Sequence, residues 1–328
     1  MRPFKYTRAT NRDQAVSAST MTSHYLGGGT NLIDLMKEDV ERPDQLIDIT
    51  ALDHKSIGKN ENGGLRLGAM LSNSETANHA EVRKKYPLLS QAILSAATAQ
   101  IRNMATNGGN LLQRTRCPYF FETSMPCNKR EPGSGCGALK GMNALHAIFG
   151  HSEHCIAVHP SDMAVALAAI RATVEVGQAN GTSRTIPFAD FHRLPGDRPE
   201  QDTNLQMGEL ITAIHLSEPV FSDHYHYLKI RERSSYAFAL VSVAAGLQIK
   251  SGSITKVGLA MGGVAHIPWK LTKAEEYLIG KAPEPSHFEK AAELAMQDAK
   301  PFKDNTYKVD MGKKAIIRAL TKASERKA

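Results

Sequence analysis

The chain has 328 residues, of which 41% are apolar and 22% charged, and its formal net charge is +7. This length can form two domains with separate cores. The longest apolar runs fall well short of about twenty residues, so no membrane-inserted helix is expected. The first residues lack the apolar core of a signal peptide. The basic residues are scattered apart from a run after Lys313, and only 6% of residues are aromatic, so nucleic-acid binding is not expected.

The first 110 residues mix strand and helix patterns. Short apolar runs predict strands at 46–49 and 65–69. Leu88, Leu89 and Ala92 begin a series of apolar residues at helical spacing, which predicts one helix over 86–104. Residues 114–158 differ from this part because they combine prolines and glycines with little periodicity. We therefore expect them to form an irregular insertion.

Regular structure is predicted again after the insertion. Ser161 and Asp162 precede an apolar run and give a helix start signal. The remaining predictions are a hairpin of 173–176 and 184–186 that turns at Asn180-Gly181, strands at 208–216, 237–249 and 256–264, and a helix opened by the Ser286-x-x-Glu289 capping pattern. A polar break at 217–224 is the predicted domain boundary.

All the cysteines of the chain lie in the predicted insertion, as Cys117, Cys127, Cys136 and Cys155. Such confinement indicates a site, and three kinds of site remain open. An iron–sulfur cluster needs four thiolates brought together by an irregular loop. A zinc site usually shows closely spaced cysteine pairs, which are absent, although four nearby histidines keep zinc open: His146, His151, His154 and His159. Disulfides belong mainly to small secreted domains.

Four basic residues flank these cysteines, namely Arg114, Arg116, Lys129 and Arg130. Positive groups lower the pKa of a nearby thiol and offset the negative charge of a cluster. We therefore expect lowered pKa values for the cysteines.

Two glycine-containing loops are candidates for binding phosphate. The first runs from Gly27 to Asn31 and the second from Thr106 to Asn110. Backbone N–H groups of such loops can converge on an anion. Two loops in one domain suit the two phosphates of a dinucleotide, whereas the alternative is a pair of plain tight turns.

The run from Gly133 to Ala138 matches the dinucleotide fingerprint G-x-G-x-x-A, but it lacks a preceding strand and we interpret it as a turn that presents Cys136.

Three further residues have ordinary interpretations when taken singly. Asp162 near a helix start is favoured by the helix dipole. Lys229 would normally be solvated, and Tyr236 would normally belong to the core.

Taken together, these motifs resemble the FAD-binding subunit of the xanthine dehydrogenase family of molybdenum hydroxylases, and most of all its aldehyde oxidoreductase branch. The resemblance covers nearly the whole chain. It implies an α+β fold with a two-part FAD-binding domain of the vanillyl-alcohol-oxidase-like type over residues 1–217, interrupted by the insertion 114–158. A smaller α+β domain of the carbon monoxide dehydrogenase flavoprotein type is implied over 218–328.

The resemblance also implies the residues that bind the cofactor. Those along the FAD are His24, Tyr25, Leu26, Gly27, Gly28, Gly29, Thr30, Asn31 and Leu32, followed by Arg102, Thr106, Asn107, Gly108, Gly109 and Asn110. Asp162 matches an aspartate near the adenosine ribose, Ile211 an aliphatic neighbour of adenine or flavin, Lys229 a lysine near the flavin, and Tyr236 a tyrosine beside the isoalloxazine. The aldehyde oxidoreductase branch carries a 4Fe-4S cluster in such an insertion, which favours iron over zinc.

The expected function is electron transfer within a complex. A large subunit with the molybdenum cofactor would oxidise an aldehyde, a small subunit with two 2Fe-2S clusters would pass on the electrons, and FAD in this chain would reduce an external acceptor. No general acid or base is expected here, because the flavin supplies the redox chemistry. The chain is expected to fold in the cytoplasm without an export signal of its own, while a partner's signal would carry the complex to the periplasm. The alternatives are a stand-alone flavin oxidase and a zinc-stabilised binding protein.

Overall fold

A computed structural model describes residues 1–178 and 181–326 of the chain. Asn180, in the turn of the predicted hairpin, lies outside these residues. The N-terminal elements are strand β1 (Lys5–Arg8), helix α1 (Arg12–Ser17), β2 (Ser23–Leu26), α2 (Leu32–Lys37) and β3 (Gln45–Asp48). The three strands form a parallel sheet in the order β1-β3-β2, which places the first glycine loop after the end of β2.

Short elements connect this sheet to the second glycine loop. They are β4 (Ile57–Lys59), β5 (Leu65–Gly68), α3 (Asn73–Asn78), α4 (Ala80–Lys85), α5 (Pro87–Ser95), α6 (Ala99–Met104) and α7 (Asn107–Leu111). The prediction of one helix over 86–104 is wrong. Ala96 is extended after α5, and the Thr98 side chain accepts from the Ile101 N–H to start a separate helix.

The insertion contains little regular structure, as predicted. It holds α8 (Pro118–Phe121) and a single 3₁₀ turn (Gly137–Leu139). After it come α9 (Asp162–Ala169), β6 (Thr173–Gly177), β7 (Ser183–Pro187), a 3₁₀ turn (Phe188–Asp190) and β8 (Leu210–His215). The Ser161 side chain caps α9 as expected. A five-stranded antiparallel sheet has the order β4-β5-β8-β6-β7.

The C-terminal part is an antiparallel sheet with helices. Its elements are β9 (His224–Ile230), β10 (Val241–Lys250), β11 (Ser253–Gly262), β12 (Trp269–Lys270), α10 (Thr272–Leu278), α11 (Pro285–Met296) and α12 (Tyr307–Glu325). Helix α11 has Glu284 at its N-cap, so the predicted capping role of Ser286 is wrong. The helices found in the described ranges are too short or too polar to cross a bilayer.

Strand β10 connects the two parts of the molecule through its alternating side chains. Val241, Val243 and Ala245 point into a core shared with α10 to α12, whereas Ala244 belongs to the core built around α5 and α9. The C-terminal sheet therefore lies between its own helices and the first part of the chain. This arrangement confirms the predicted α+β fold and creates a cleft at the boundary.

Candidate functional site

A cavity of about 670 Å³ lies where the first part of the chain, the insertion and the C-terminal sheet meet. Eight residues predicted to bind a cofactor line it, namely Thr30, Asn31, Arg102, Gly109, Asn110, Asp162, Lys229 and Tyr236. These residues come from segments far apart in the sequence. The size is within the usual range for a ligand or cofactor pocket.

The two glycine loops contact each other directly. A Cβ atom on Gly28 would lie 1.8 Å from the carbonyl oxygen of Met104, at the end of α6, so only glycine permits this approach. The remaining predicted cofactor residues do not line the cavity: His24, Tyr25, Leu26, Gly27, Gly28, Gly29, Leu32, Thr106, Asn107, Gly108 and Ile211. They lie in β2, in the two glycine loops, at the start of α2 and in β8.

Asn107 shows how the second loop is held. Its side chain is fully buried and donates to the Gly68 carbonyl (3.1 Å) and to the Thr76 hydroxyl (2.8 Å). Asn110 donates to Asn73 (2.7 Å) and faces the cavity. Asn107 therefore fixes the loop, while Gly109 and Asn110 form the face that lines the cavity.

An ion pair closes one side of the cavity. Lys229 Nζ lies 2.7 Å from Asp162 Oδ2, and each side chain is only 5% exposed. The Tyr227 hydroxyl donates to Asp162 Oδ1 (2.6 Å), and Lys229 also donates to the Ser95 carbonyl (3.2 Å). Burial, followed by the Asp162 charge, raises the pKa of Tyr227 well above its ordinary value. Lys229 is therefore buried, and the ordinary interpretation of it as a solvated lysine is wrong.

Five side chains that line this cavity carry a buried polar nitrogen without a hydrogen-bond partner among the described residues. The atoms are Asn31 Nδ2, Arg102 Nε, Arg116 Nε, His146 Nδ1 and His159 Nε2. Three of them are fixed N–H donors, since amide and guanidinium nitrogens cannot accept. Buried donors are normally satisfied, and leaving one unsatisfied costs about 1–3 kcal/mol. The cavity therefore suits a ligand rich in hydrogen-bond acceptors, such as FAD.

Tyr236 lies at the mouth of the cavity and is 53% exposed, so the ordinary interpretation of a core residue is wrong. Its φ of 50° is in the left-handed region, which is uncommon for a residue with a side chain. The Arg233 guanidinium lies 5.3 Å from the centre of the ring and donates from Nε to the Tyr236 carbonyl (2.9 Å). Arg233 therefore stabilises this backbone conformation.

The four cysteines line one small cavity of about 10 Å³ next to the larger one. All four are free thiols, and Cys127 and Cys136 pair through a backbone bridge. In the described part of the chain, no group of three or more His, Cys, Asp or Glu side chains has the spacing to hold a metal ion. The thiols thus share one cavity, whose volume is about that needed for one water molecule.

For Cys117 and Cys155 the expected lowering of the pKa is wrong. Burial raises the pKa of Cys117 to about 12 and that of Cys155 to about 11. The nearby cations are largely engaged elsewhere: Lys129 Nζ lies 2.6 Å from Asp202, and Arg114 pairs with both Asp202 and Glu41. Desolvation of these two thiols therefore outweighs the positive charge around them.

Cys117 is the one predicted ligand that lines both cavities. Its Sγ lies 3.1 Å from His146 Nε2. Burial first, and the charge of Lys308 second, lower the pKa of His146 to about 4, so its ring is neutral near pH 7. Lys308 Nζ, itself fully buried, donates to the carbonyls of His146 (2.9 Å) and Gly263 (2.7 Å).

The sequence names Arg116 only as a cation near the cysteines, not as part of the larger cavity, and it does not point to Tyr227 or Lys308. The alternation of β9 placed Tyr227 and Lys229 on one face, which was a usable signal. Lys308 has no such signal, since a lysine near a basic run is normally exposed.

The fold and the paired cavities define a two-domain flavoprotein. Residues 2–219 match the family described as FAD binding domain in molybdopterin dehydrogenase, and residues 225–323 match the CO dehydrogenase flavoprotein C-terminal domain. The chain belongs to this family of FAD-binding subunits of molybdenum hydroxylases and is an oxidoreductase subunit. The predicted family is thereby confirmed.

Individual relatives agree with this assignment. The chain is 45% identical to the aldehyde oxidoreductase FAD-binding subunit PaoB of Escherichia coli (strain K12), over 98% of this chain and 99% of the relative. It is 28% identical to the glyceraldehyde dehydrogenase medium chain of Sulfolobus acidocaldarius, over 85% and 82%. The fold matches a chain in the structure of reconstituted CO dehydrogenase from Oligotropha carboxidovorans with a TM-score of 0.78, at 23% identity and 99% coverage of both chains.

Proposed function

We propose that this chain is the electron-transferring FAD subunit of a molybdenum-containing aldehyde oxidoreductase, and that it also binds a 4Fe-4S cluster through its four cysteines. The partners are a large subunit with the molybdenum cofactor and a small subunit with two 2Fe-2S clusters. The substrate class rests on the 45% identity to an aldehyde oxidoreductase subunit. The unpaired buried donors in the large cavity are the observation that carries the FAD assignment.

The residues of the chain supply binding and exclusion of water rather than proton transfer. Asn31, Arg102 and Arg116 offer donors to the acceptor-rich ligand, while the Asp162–Lys229 pair forms a rigid polar wall. Tyr236 and Phe238 cover the mouth with aromatic surface. FAD supplies the exchange between two-electron and one-electron steps when bound.

The donor set of the small cavity fits an iron–sulfur cluster. Four thiols from an irregular loop are the usual ligands of such a cluster, and metal binding deprotonates thiols even when burial raises their pKa. Cys127 and Cys155 are buried and would keep solvent from their side of the metal. Zinc remains the competing occupant, because the imidazole of His146 lies beside Cys117.

Analysis of the anaerobically purified full chain tests this proposal. We expect about one FAD, about four iron atoms and about four acid-labile sulfides per chain. Zinc without sulfide would overturn the cluster assignment. Co-purification with two other chains supports the complex, whereas an active, cofactor-loaded monomer would favour a stand-alone flavin oxidase.

The proposal also assigns the compartment in which the cluster is inserted and the one in which the complex acts. The cluster is assembled in the cytoplasm, and an export signal on a partner carries the folded complex to the periplasm. Cell fractionation tests this: if the signal of the partner is deleted, the chain should stay in the cytoplasm with its iron bound. Export of the chain when expressed alone would contradict it.

A further inference from the structure

The wall between the two cavities consists of few side chains. Thr115 and Cys117 line both cavities, and His146 lines the larger one. The 3.1 Å contact between Cys117 Sγ and His146 Nε2 therefore lies in the partition between the proposed flavin and the proposed cluster. Cys127, Cys136 and Cys155 have no such position, since they line the small cavity alone.

The surroundings of the His146 ring decide which nitrogen carries its proton when Cys117 binds metal. A metal-bound thiolate can only accept hydrogen bonds, so the ring nitrogen that faces it must be an N–H. Nδ1 is buried and has no partner among the described residues. A proton on Nδ1 would leave a buried donor unsatisfied, which costs about 1–3 kcal/mol. Both arguments place the proton on Nε2.

The main chain behind this imidazole is fixed. The His146 carbonyl accepts from Lys308 Nζ (2.9 Å) and from Asn305 Nδ2 (3.1 Å). Both donor side chains are fully buried. The Asn305 amide also donates to the Ala147 carbonyl (3.3 Å). The segment that carries His146 therefore has little freedom to move away from Cys117.

We propose that His146 is a positioning residue that donates a hydrogen bond from Nε2 to the Cys117 sulfur and thereby raises the reduction potential of the bound cluster. The inference rests on the proposed function. Reduction adds negative charge to the cluster and its sulfur ligands, and a hydrogen-bond donor stabilises that charge. Because Cys117 is the one cysteine that also lines the larger cavity, this hydrogen bond would act at the partition between the two cavities.

Redox titration of the full chain, followed by the electron paramagnetic resonance of the reduced cluster, tests this proposal. The variants are His146→Phe, which removes the donor, and His146→Gln, whose amide can still donate. His151→Gln is the matched control, since His151 lies in the same insertion but bonds the Lys300 carbonyl. We expect a lower midpoint potential in H146F, a value nearer the wild type in H146Q, and no shift in H151Q, with equal iron content throughout.

An unchanged midpoint potential in H146F at full iron content would overturn the proposal. If H146F fails to fold, His146→Leu takes its place as the variant without a donor. A midpoint potential of H146Q as far from the wild-type value as that of H146L would then overturn the proposal equally. Loss of iron from both His146 variants but not from H151Q, while FAD stays bound, would also contradict it, because His146 would then be needed for assembly. Absence of a cluster from the wild type is a different failure, since it shows in the wild-type iron analysis before any variant is made.

Discussion

Lys229 and Asp162 form a buried ion pair that joins the C-terminal sheet to the helix following the insertion, with Nζ 2.7 Å from Oδ2. Each residue was interpreted separately in the sequence, one near the flavin and the other near the adenosine ribose. The structure brings them together in the wall of one cavity, with Tyr227 bonded to the same carboxylate.

Breaking this pair is expected to destabilise the protein strongly. Asp162→Asn leaves the buried Lys229 ammonium without its counter-ion, and such a change costs about 3–5 kcal/mol. Urea denaturation measures the effect. Lys273→Met is the control, because the Lys273–Asp298 pair is 53% and 64% exposed and should contribute about 0–1 kcal/mol. Equal losses from the two variants would contradict the structural difference between the pairs.

The contact between the glycine loops gives a second prediction. Gly28→Ala would place a methyl group 1.8 Å from the Met104 carbonyl oxygen, so the first loop must move away from the end of α6 that leads into the second loop. We expect a loss of about 1–3 kcal/mol of stability together with loss of bound FAD. Gly58→Ala is the control, since nothing lies within 4 Å of its added Cβ. Calorimetry and the flavin absorbance of the purified variants give the two readouts; retention of FAD by G28A would contradict the prediction.

The unpaired amide of Asn31 predicts an effect on the cofactor alone. Asn31→Asp keeps the oxygen that accepts from the backbone N–H of Arg114 (2.9 Å) but replaces the buried Nδ2 donor with an acceptor. We expect FAD to bind about 10- to 100-fold more weakly, the equivalent of about 1.4–2.8 kcal/mol. Titration of the flavin-free protein with FAD measures this. Asn62→Asp, an exposed change of the same charge, should leave the affinity unaltered.

Cysteine substitutions should separate the two sites. Cys127→Ser, Cys136→Ser and Cys155→Ser are expected to lose iron and keep FAD, because these residues do not line the larger cavity. Cys117→Ser should lose iron and also weaken FAD binding, since Cys117 lines both cavities. Iron and flavin analysis of the four purified variants tests this, and equal FAD loss from all four would argue that the sites fold as one.

Lys308 predicts a pH dependence of stability. Burial lowers its pKa from 10.5 to about 7. Between pH 7 and about 10 the unfolded chain therefore holds a proton on this residue that the folded protein lacks, so the free energy of unfolding rises with pH in this window. The contribution is at most about 1.4 kcal/mol per pH unit.

Lys308→Met removes this titration and is the reference with which the wild type is compared. Denaturation of both proteins at pH 7 and pH 9 should show a steeper rise for the wild type than for K308M. Other groups that titrate in this range are common to the two proteins and cancel in the comparison. Parallel pH profiles would contradict the lowered pKa of Lys308.

Local patterns predicted much of the fold and part of the site. Strands β3, β5 and β8 were found because apolar runs and turn residues mark buried strands. The long helix over 86–104 was predicted wrongly because its apolar spacing continues across the break, and Thr98 was the cap signal that was overlooked. The convergence of the cysteines followed from their confinement to one segment.

What could not be predicted depends on contacts between distant segments. Asn107 resembled a ligand residue, but its amide is used by Gly68 and Thr76, more than thirty residues away in the sequence. The pKa values of Cys117 and Cys155 were predicted in the wrong direction because burial dominates them. The cations that could offset it, Arg114 and Lys129, are paired with Glu41 and Asp202. Spacing within one segment carries no information on such partners.

The bond from Lys308 to the His146 carbonyl spans 162 residues of sequence. Translation proceeds from the N-terminus, so the segment that carries Cys117 and His146 leaves the ribosome long before the helix that fixes it. The segment that carries His146 gains this bond only when that late helix has docked. A nascent chain paused before Asn305 would therefore hold the segment of His146 without this anchor, and loading of the proposed cluster beside an anchored His146 would have to follow synthesis of the helix.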